Sequence, residues 1–177
     1  MFSRIKSRFG DIDTIKTLCL LAEKHALADQ LRAPGAEHFL LAALDLPEDT
    51  ARQAFERIGA DASTLRQAIE RQYSDALCSL GVDPKVAKAS ADEPLPSKLG
   101  AYNAAPSGKE VMLALAANRR EHGPLLGAHV VAVVAGQQHG VASRALRVMG
   151  IDANALKSSA IEIAAGERRA PNLQAHS

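Results

Sequence analysis

The sequence predicts an all-helical protein built from two similar halves, and three observations carry that expectation. Alanine and leucine dominate while aromatic residues make up only 3% of the chain, and β-branched clusters bounded by turn residues, the mark of strands, are nearly absent. Apolar side chains recur at three- and four-residue spacing, the period of an amphipathic helix. Sliding the chain against itself by 91 residues pairs Ala26 with Ala117, His38 with His129, Ala51 with Ala142, Ala54 with Ala145, Gly59 with Gly150, Asp61 with Asp152, Ala62 with Ala153 and Leu65 with Leu156. These matches fall at caps, turn glycines and close-packing alanines, which helix geometry restricts most, as duplication of a helical unit would leave them.

The first eleven residues read as an N-terminal arm, with Phe2, Ile5 and Phe9 interleaved with Arg4, Lys6 and Arg8. A first repeat is expected over 12–80. Asp13 caps a helix running to about Gln30, whose Ile15, Leu18, Leu21, Ala22 and Ala26 share a face. Pro34 and Gly35 break it, and GAEHFLLAAL (35–44) follows as a short apolar helix. Pro47, Glu48 and Asp49 start a third helix through Ile58, ended by Gly59, and Asp61 caps a fourth towards Leu80. Residues 81–106 read as a linker, its later part rich in Pro, Gly, Ser and Ala. The same order recurs over 107–165: a helix from Ser107 to Glu121, a break at Gly123-Pro124, the apolar LGAHVVAVVAG, a helix ending at Gly150, and an Asp152-capped helix to about Ala164. The remainder, 166–177, has lost apolar periodicity and reads as a mobile tail.

Composition narrows the function classes. With 21 basic against 20 acidic side chains, the chain lacks the positive field that nonspecific nucleic-acid binding relies on. No run approaches the ~20 apolar residues of a spanning helix, so no membrane role is expected. Cys19 and Cys78 show no CxxC spacing, which suits unpaired core thiols in a cytoplasmic protein. The histidines lack HExxH or similar ligand spacing, and no metal or other cofactor is expected. Gly108-Lys109 fails as a phosphate loop, because Asn103 stands where the first glycine is needed and Glu110 where the magnesium-binding hydroxyl is needed. It reads instead as a helix start.

Two segments carry a resemblance. GAEHFLLAAL resembles the G-T-E-H-x-L-L-x-L run, and ARQAFERIGADASTL the A-x-x-x-L-x-x-x-G-[IV]-D-x-x-x-[LV] pattern, of the Clp N-terminal domain, the double repeat that precedes the ATPase rings of Clp-family unfoldases. LGAHVVAVVAGQQHGVASRALRVMGIDANAL is similar to the ClpA-type second repeat, in which Gly-Ala replaces Thr-Glu. The resemblance spans roughly residues 12–164. It implies two four-helix repeats packed together and a non-catalytic module without a motor, whose partners are a polypeptide substrate, a ClpS-like adaptor or a Clp unfoldase. Ala36 stands where the family has threonine, and Ala128 where a second glutamate would stand. In ClpC-type relatives that glutamate helps bind phosphorylated arginine; here only Glu37 could be carried over.

Glu37-His38 is best explained structurally: the acid suits the first turn of a helix, and the ring is expected half-buried, hydrogen-bonding a neighbouring element. Glu37 and Arg32 are the expected partner-binding residues, exposed near the start of the GAEHFLL helix. Two rival readings are a small hydrolase using His38 or His129, which requires either ring to face an open pocket beside a nucleophile, and a self-associating structural protein, which requires a large apolar patch.

Overall fold

The computed structural model describes the backbone of residues 2–83, 86, 104–118 and 124–173, and the side chains of 12–83, 86, 104–118 and 124–167. Among the described residues every regular element is helical: α1 (Phe2–Ala28), α2 (Ala36–Leu44), α3 (Thr50–Arg57), a 3-10 turn (Ala62–Thr64), α4 (Leu65–Ser79), α5 (Pro106–Ala117), α6 (Gly127–Ala135), α7 (Val141–Val148) and α8 (Ala153–Leu173). The expected all-helical class is what the chain adopts.

The centre is made by the two shortest apolar helices. Every residue of α2 is buried, as are most of α6, because a helix apolar on all sides has no face to offer water. The two touch each other, α1 packs along α2, and α8 along α6. Phe39, Leu40, Val130 and Val131 are fully covered, each contributing about 1.5–3 kcal/mol by leaving water. Around this centre the halves interleave. Helix α3 packs on α8 and α6, and α4 packs on α7, so one apolar core runs through both halves.

Glycines make two of these approaches possible. A Cβ on Gly108 would stand 2.4 Å from the Pro34 carbonyl oxygen and 3.0 Å from the Phe39 ring; one on Gly127 would stand 2.9 Å from the Ala43 carbonyl oxygen. Gly108 is thus a packing position as well as part of a helix start. Polar groups stitch the same seam. Ser107 Oγ accepts from the Ala36 N–H at 3.2 Å, Glu48 accepts from the Gly127 N–H, Thr50 Oγ1 accepts from the Ala128 N–H at 3.0 Å, and the Ser159 hydroxyl donates to the Ala54 carbonyl at 3.0 Å. Each half therefore satisfies orphan amide donors at the start of the other's central helix.

Several boundaries differ from expectation. Helix α1 begins at Phe2, so Asp13 lies inside it rather than capping it, and the backbone of the expected arm is helical. Few strong breakers separate Phe2 from Asp13, so the helix propagates once nucleated. Pro47-Glu48-Asp49 form a turn, with Asp49 at φ 60, the left-handed region that aspartate tolerates better than most side chains; α3 starts one residue later. Helix α8 continues to Leu173, beyond the expected end near Ala164 and into the expected tail. Cys78 is exposed instead of core, while Cys19 is partly buried. The cap at Asp152 agrees with expectation, its carboxylate accepting from the Asn154 N–H at 2.8 Å, whereas Asp61 caps the 3-10 turn that leads into α4 rather than α4 itself, accepting from the Ser63 N–H at 2.9 Å. Residues 84, 85 and 87–103 of the expected linker, Arg119-Arg120-Glu121-His122, and the last four residues lie outside the described set. Among the described residues no helix is long and apolar enough to cross a membrane.

Candidate functional site

Both central helices start with the same device. In α2 the cap position is Gly35, and Ala36 supplies no hydroxyl; the His38 ring does the work from inside, Nδ1 accepting the Gly35 N–H at 2.9 Å. In α6, His129 Nδ1 accepts the Leu126 N–H at 3.0 Å. A hydroxyl cap is therefore not needed for this start. His38 is fully covered rather than half-buried.

His38 then anchors a polar chain that runs through the first half. With Nδ1 occupied as acceptor, the ring proton belongs on Nε2, which donates to Asp29 Oδ2 at 3.1 Å. The other Asp29 oxygen accepts from Arg66 on α4 at 2.9 Å. A second nitrogen of Arg66 donates to His25 Nδ1 at 2.6 Å, and His25 Nε2 donates to Asp45 at 2.8 Å. Five side chains thereby tie the end of α1, both ends of α2 and the first turn of α4 together. Burial on its own would raise the Asp29 carboxyl, but the bond from His38 and the charge of Arg66 reverse this and hold it below the usual carboxylate value. Burial also lowers His25, outweighing the contrary pull of Asp45, with the Arg66 charge adding to the lowering.

Glu37 corrects an expectation. It is 5% exposed, not a surface residue, and accepts the Tyr73 hydroxyl at 2.6 Å. It turns inward because its carboxylate folds back over Gly35, where a Cβ would stand 2.4 Å from Oε1, and because Tyr73 on α4 offers a donor there. Burial, and then the Glu37 charge, push the Tyr73 phenol above its ordinary value, so it remains a donor. Arg32 is exposed in the α1–α2 loop. The two residues therefore do not share one surface. Outside the polar chain lies a groove of about 470 Å³, whose lining includes Asp29, Arg66 and Tyr73 together with Leu31, Leu77 and Leu80. Leu80 itself is exposed, as are Val82 and Val86 further along the chain.

The sequence reading missed Asp29, Arg66, Tyr73, His25 and Asp45 as partners. Only the shared histidine was visible as a signal, because the partners come from four segments whose proximity depends on packing. Both ring nitrogens of His38 are engaged, and the cavity lined by His129 has no Ser, Thr or Cys among its described lining residues. Among the described residues no group of three potential ligands could hold a metal ion. Compared with known proteins, the chain matches no family model and no curated protein.

Proposed function

We propose that the chain is a pseudo-symmetric, non-catalytic binding module of the Clp N-terminal type, acting in the cytoplasm on polypeptides and regulating Clp-dependent proteolysis. The observation that carries this reading is the twin helix start: His38 and His129, 91 residues apart, each accept the N–H three residues upstream in helices of equal length. Further support comes from the matched left-handed glycines, Gly59 at φ 70 and Gly150 at φ 72, and from the reciprocal packing of α3 on α8 and α4 on α7. Rings used as internal caps and as anchors of a polar chain favour architecture over hydrolysis. A surface left free by this core is suited to docking a substrate chain, a ClpS-like adaptor or a Clp unfoldase. Arg32, exposed at the α1–α2 loop, is the contact residue; Glu37 acts from beneath, through Tyr73, by fixing the wall of the neighbouring groove.

The test is direct binding of the purified full chain to a Clp-type unfoldase and to a ClpS-like adaptor. At least one should bind, with Arg32→Glu about tenfold weaker, a loss of about 1.4 kcal/mol. Binding by neither would overturn the reading; equal binding by the variant would move the contact away from Arg32.

A further inference from the structure

We propose that the second half carries an anchor pocket between α5, α6 and α8, which takes one aliphatic side chain of an extended polypeptide flanked by a basic residue on one side and an acidic residue on the other. This rests on the peptide-binding reading above and gives it a site.

The pocket exists because small residues stand where the first half has large ones. Its volume is about 550 Å³, within the usual range for ligand sites, and Ala114, Ala132 and Ala164 line it from three different helices. The residues 91 positions earlier are Glu23, Leu41 and Tyr73. Gly136, also on its wall, stands 91 residues after Asp45, which closes the first half by holding His25. Val133 and Ile161 add aliphatic surface, His129, Asn118 and Gln137 add polar atoms, and the lining contains no Phe, Tyr or Trp on which a base or a sugar could stack.

Charge selects the occupant. Glu110 on α5 and Lys157 on α8 both line the pocket and both are exposed, yet among the described residues neither forms an ion pair. Opposite charges left unpaired on two walls complement a dipolar segment. They disfavour a polyanion, which Glu110 repels as Lys157 attracts it. The lining contains no Ser, Thr or Cys.

The test uses the full chain and fluorescein-labelled ten-residue peptides of Gly and Ser carrying Lys-Leu-Glu at the centre, in both orders of the charges, read by fluorescence anisotropy. Saturable binding is expected for at least one order, about tenfold weaker when Ser replaces Leu. Ala132→Leu, at a half-buried position, should reduce affinity at least tenfold by filling the space. Lys157→Glu, at an exposed position where folding is not at risk, should weaken the Lys-Leu-Glu peptide severalfold and strengthen a Lys-Leu-Lys peptide. Absence of saturable binding to either order, or affinity unchanged in both variants, would overturn the proposal. So would concentration-dependent self-association abolished by Ala132→Leu, which would assign the pocket to a second copy of the chain. Binding to Clp components is measured separately: a chain that binds them but not the peptides loses the pocket and keeps the broader reading, and one that binds neither loses both.

Discussion

The two halves begin their central helices alike and then diverge in what surrounds the shared histidine. Around His38 the space is filled by polar side chains: Asp29, Arg66, His25 and Asp45 form a continuous chain, and Tyr73 closes over Glu37. Around His129, Ala116 stands for His25, Ala128 for Glu37, Gly136 for Asp45 and Ala164 for Tyr73, while Arg66 is matched by another cation, Lys157, and a cavity lies there instead. The same backbone device thus supports a filled half and an open one. A central helix start capped from within leaves the outer positions free to vary.

The sharpest way to break this comparison is to remove the cation from each half. Arg66→Ala strips partners from Asp29, whose side chain is 8% exposed, and from His25, and an uncompensated carboxylate in that setting is costly. A loss of about 2–3 kcal/mol in urea unfolding is expected. Lys157→Ala, 91 residues later, removes no ion pair among the described residues and should cost less than about 0.5 kcal/mol. Equal costs would mean that the two halves are held together in the same way.

Tyr73→Phe asks how much the closure over Glu37 contributes. The hydroxyl donates to a buried carboxylate, so its removal should cost about 1.5 kcal/mol. Glu37→Gln in the Tyr73→Phe background should recover part of that loss, since a neutral amide tolerates burial better than a carboxylate lacking its donor. No recovery would place the effect in packing of the ring rather than in the hydrogen bond.

Gly35 gives a smaller effect with a cleaner sign. Its φ of −92 suits any residue, so the demand for glycine comes from the Glu37 carboxylate alone. The second half makes the point, because Leu126 occupies the corresponding position and Ala128 brings no carboxylate towards it. Gly35→Ala should cost about 1 kcal/mol in the native background and close to nothing when Glu37 is also alanine, a coupling that a double-mutant cycle on unfolding measures directly. Additive costs would show that the two sites do not compete for the space.

What could be read in the sequence follows from the range of the interactions concerned. The helical class, Asp61 and Asp152 as caps, and Gly59 and Gly150 as terminators depend on contacts within a few residues, and local spacing announces them. Asp13 looked like a cap by the same rule, but the chain before it is itself helical. Glu37 looked exposed because charged residues usually are; its burial depends on Tyr73, 36 positions away. Glu48 and Thr50 are ordinary turn residues by sequence, and their service to Gly127 and Ala128 appears only once the halves meet. The site lies mostly in this second class, which is why the sequence announces only Glu37 and the paired His38 and His129.

Acid should separate the filled half from the open one by the smallest of these effects. His25 is held below the ordinary imidazole value, so the folded chain takes up this proton less readily than the unfolded chain does. Its stabilising contribution is complete above about pH 6.5, the unfolded value, and is lost as pH falls through the depressed folded value. Protonation fills the lone pair of Nδ1 that accepts from Arg66 and sets two cations face to face, while Asp45 still attracts the ring. Asp29, also held below its ordinary value, adds a separate loss only below about pH 4. Urea unfolding followed between pH 7.5 and about pH 5 should therefore show a decline that is shallower in His25→Gln, which cannot gain a charge. Ala116, the residue 91 positions later, has no such group to lose. Identical slopes in wild type and variant would remove His25 as the origin of the decline and leave the polar chain without a pH-sensitive link at its outer end.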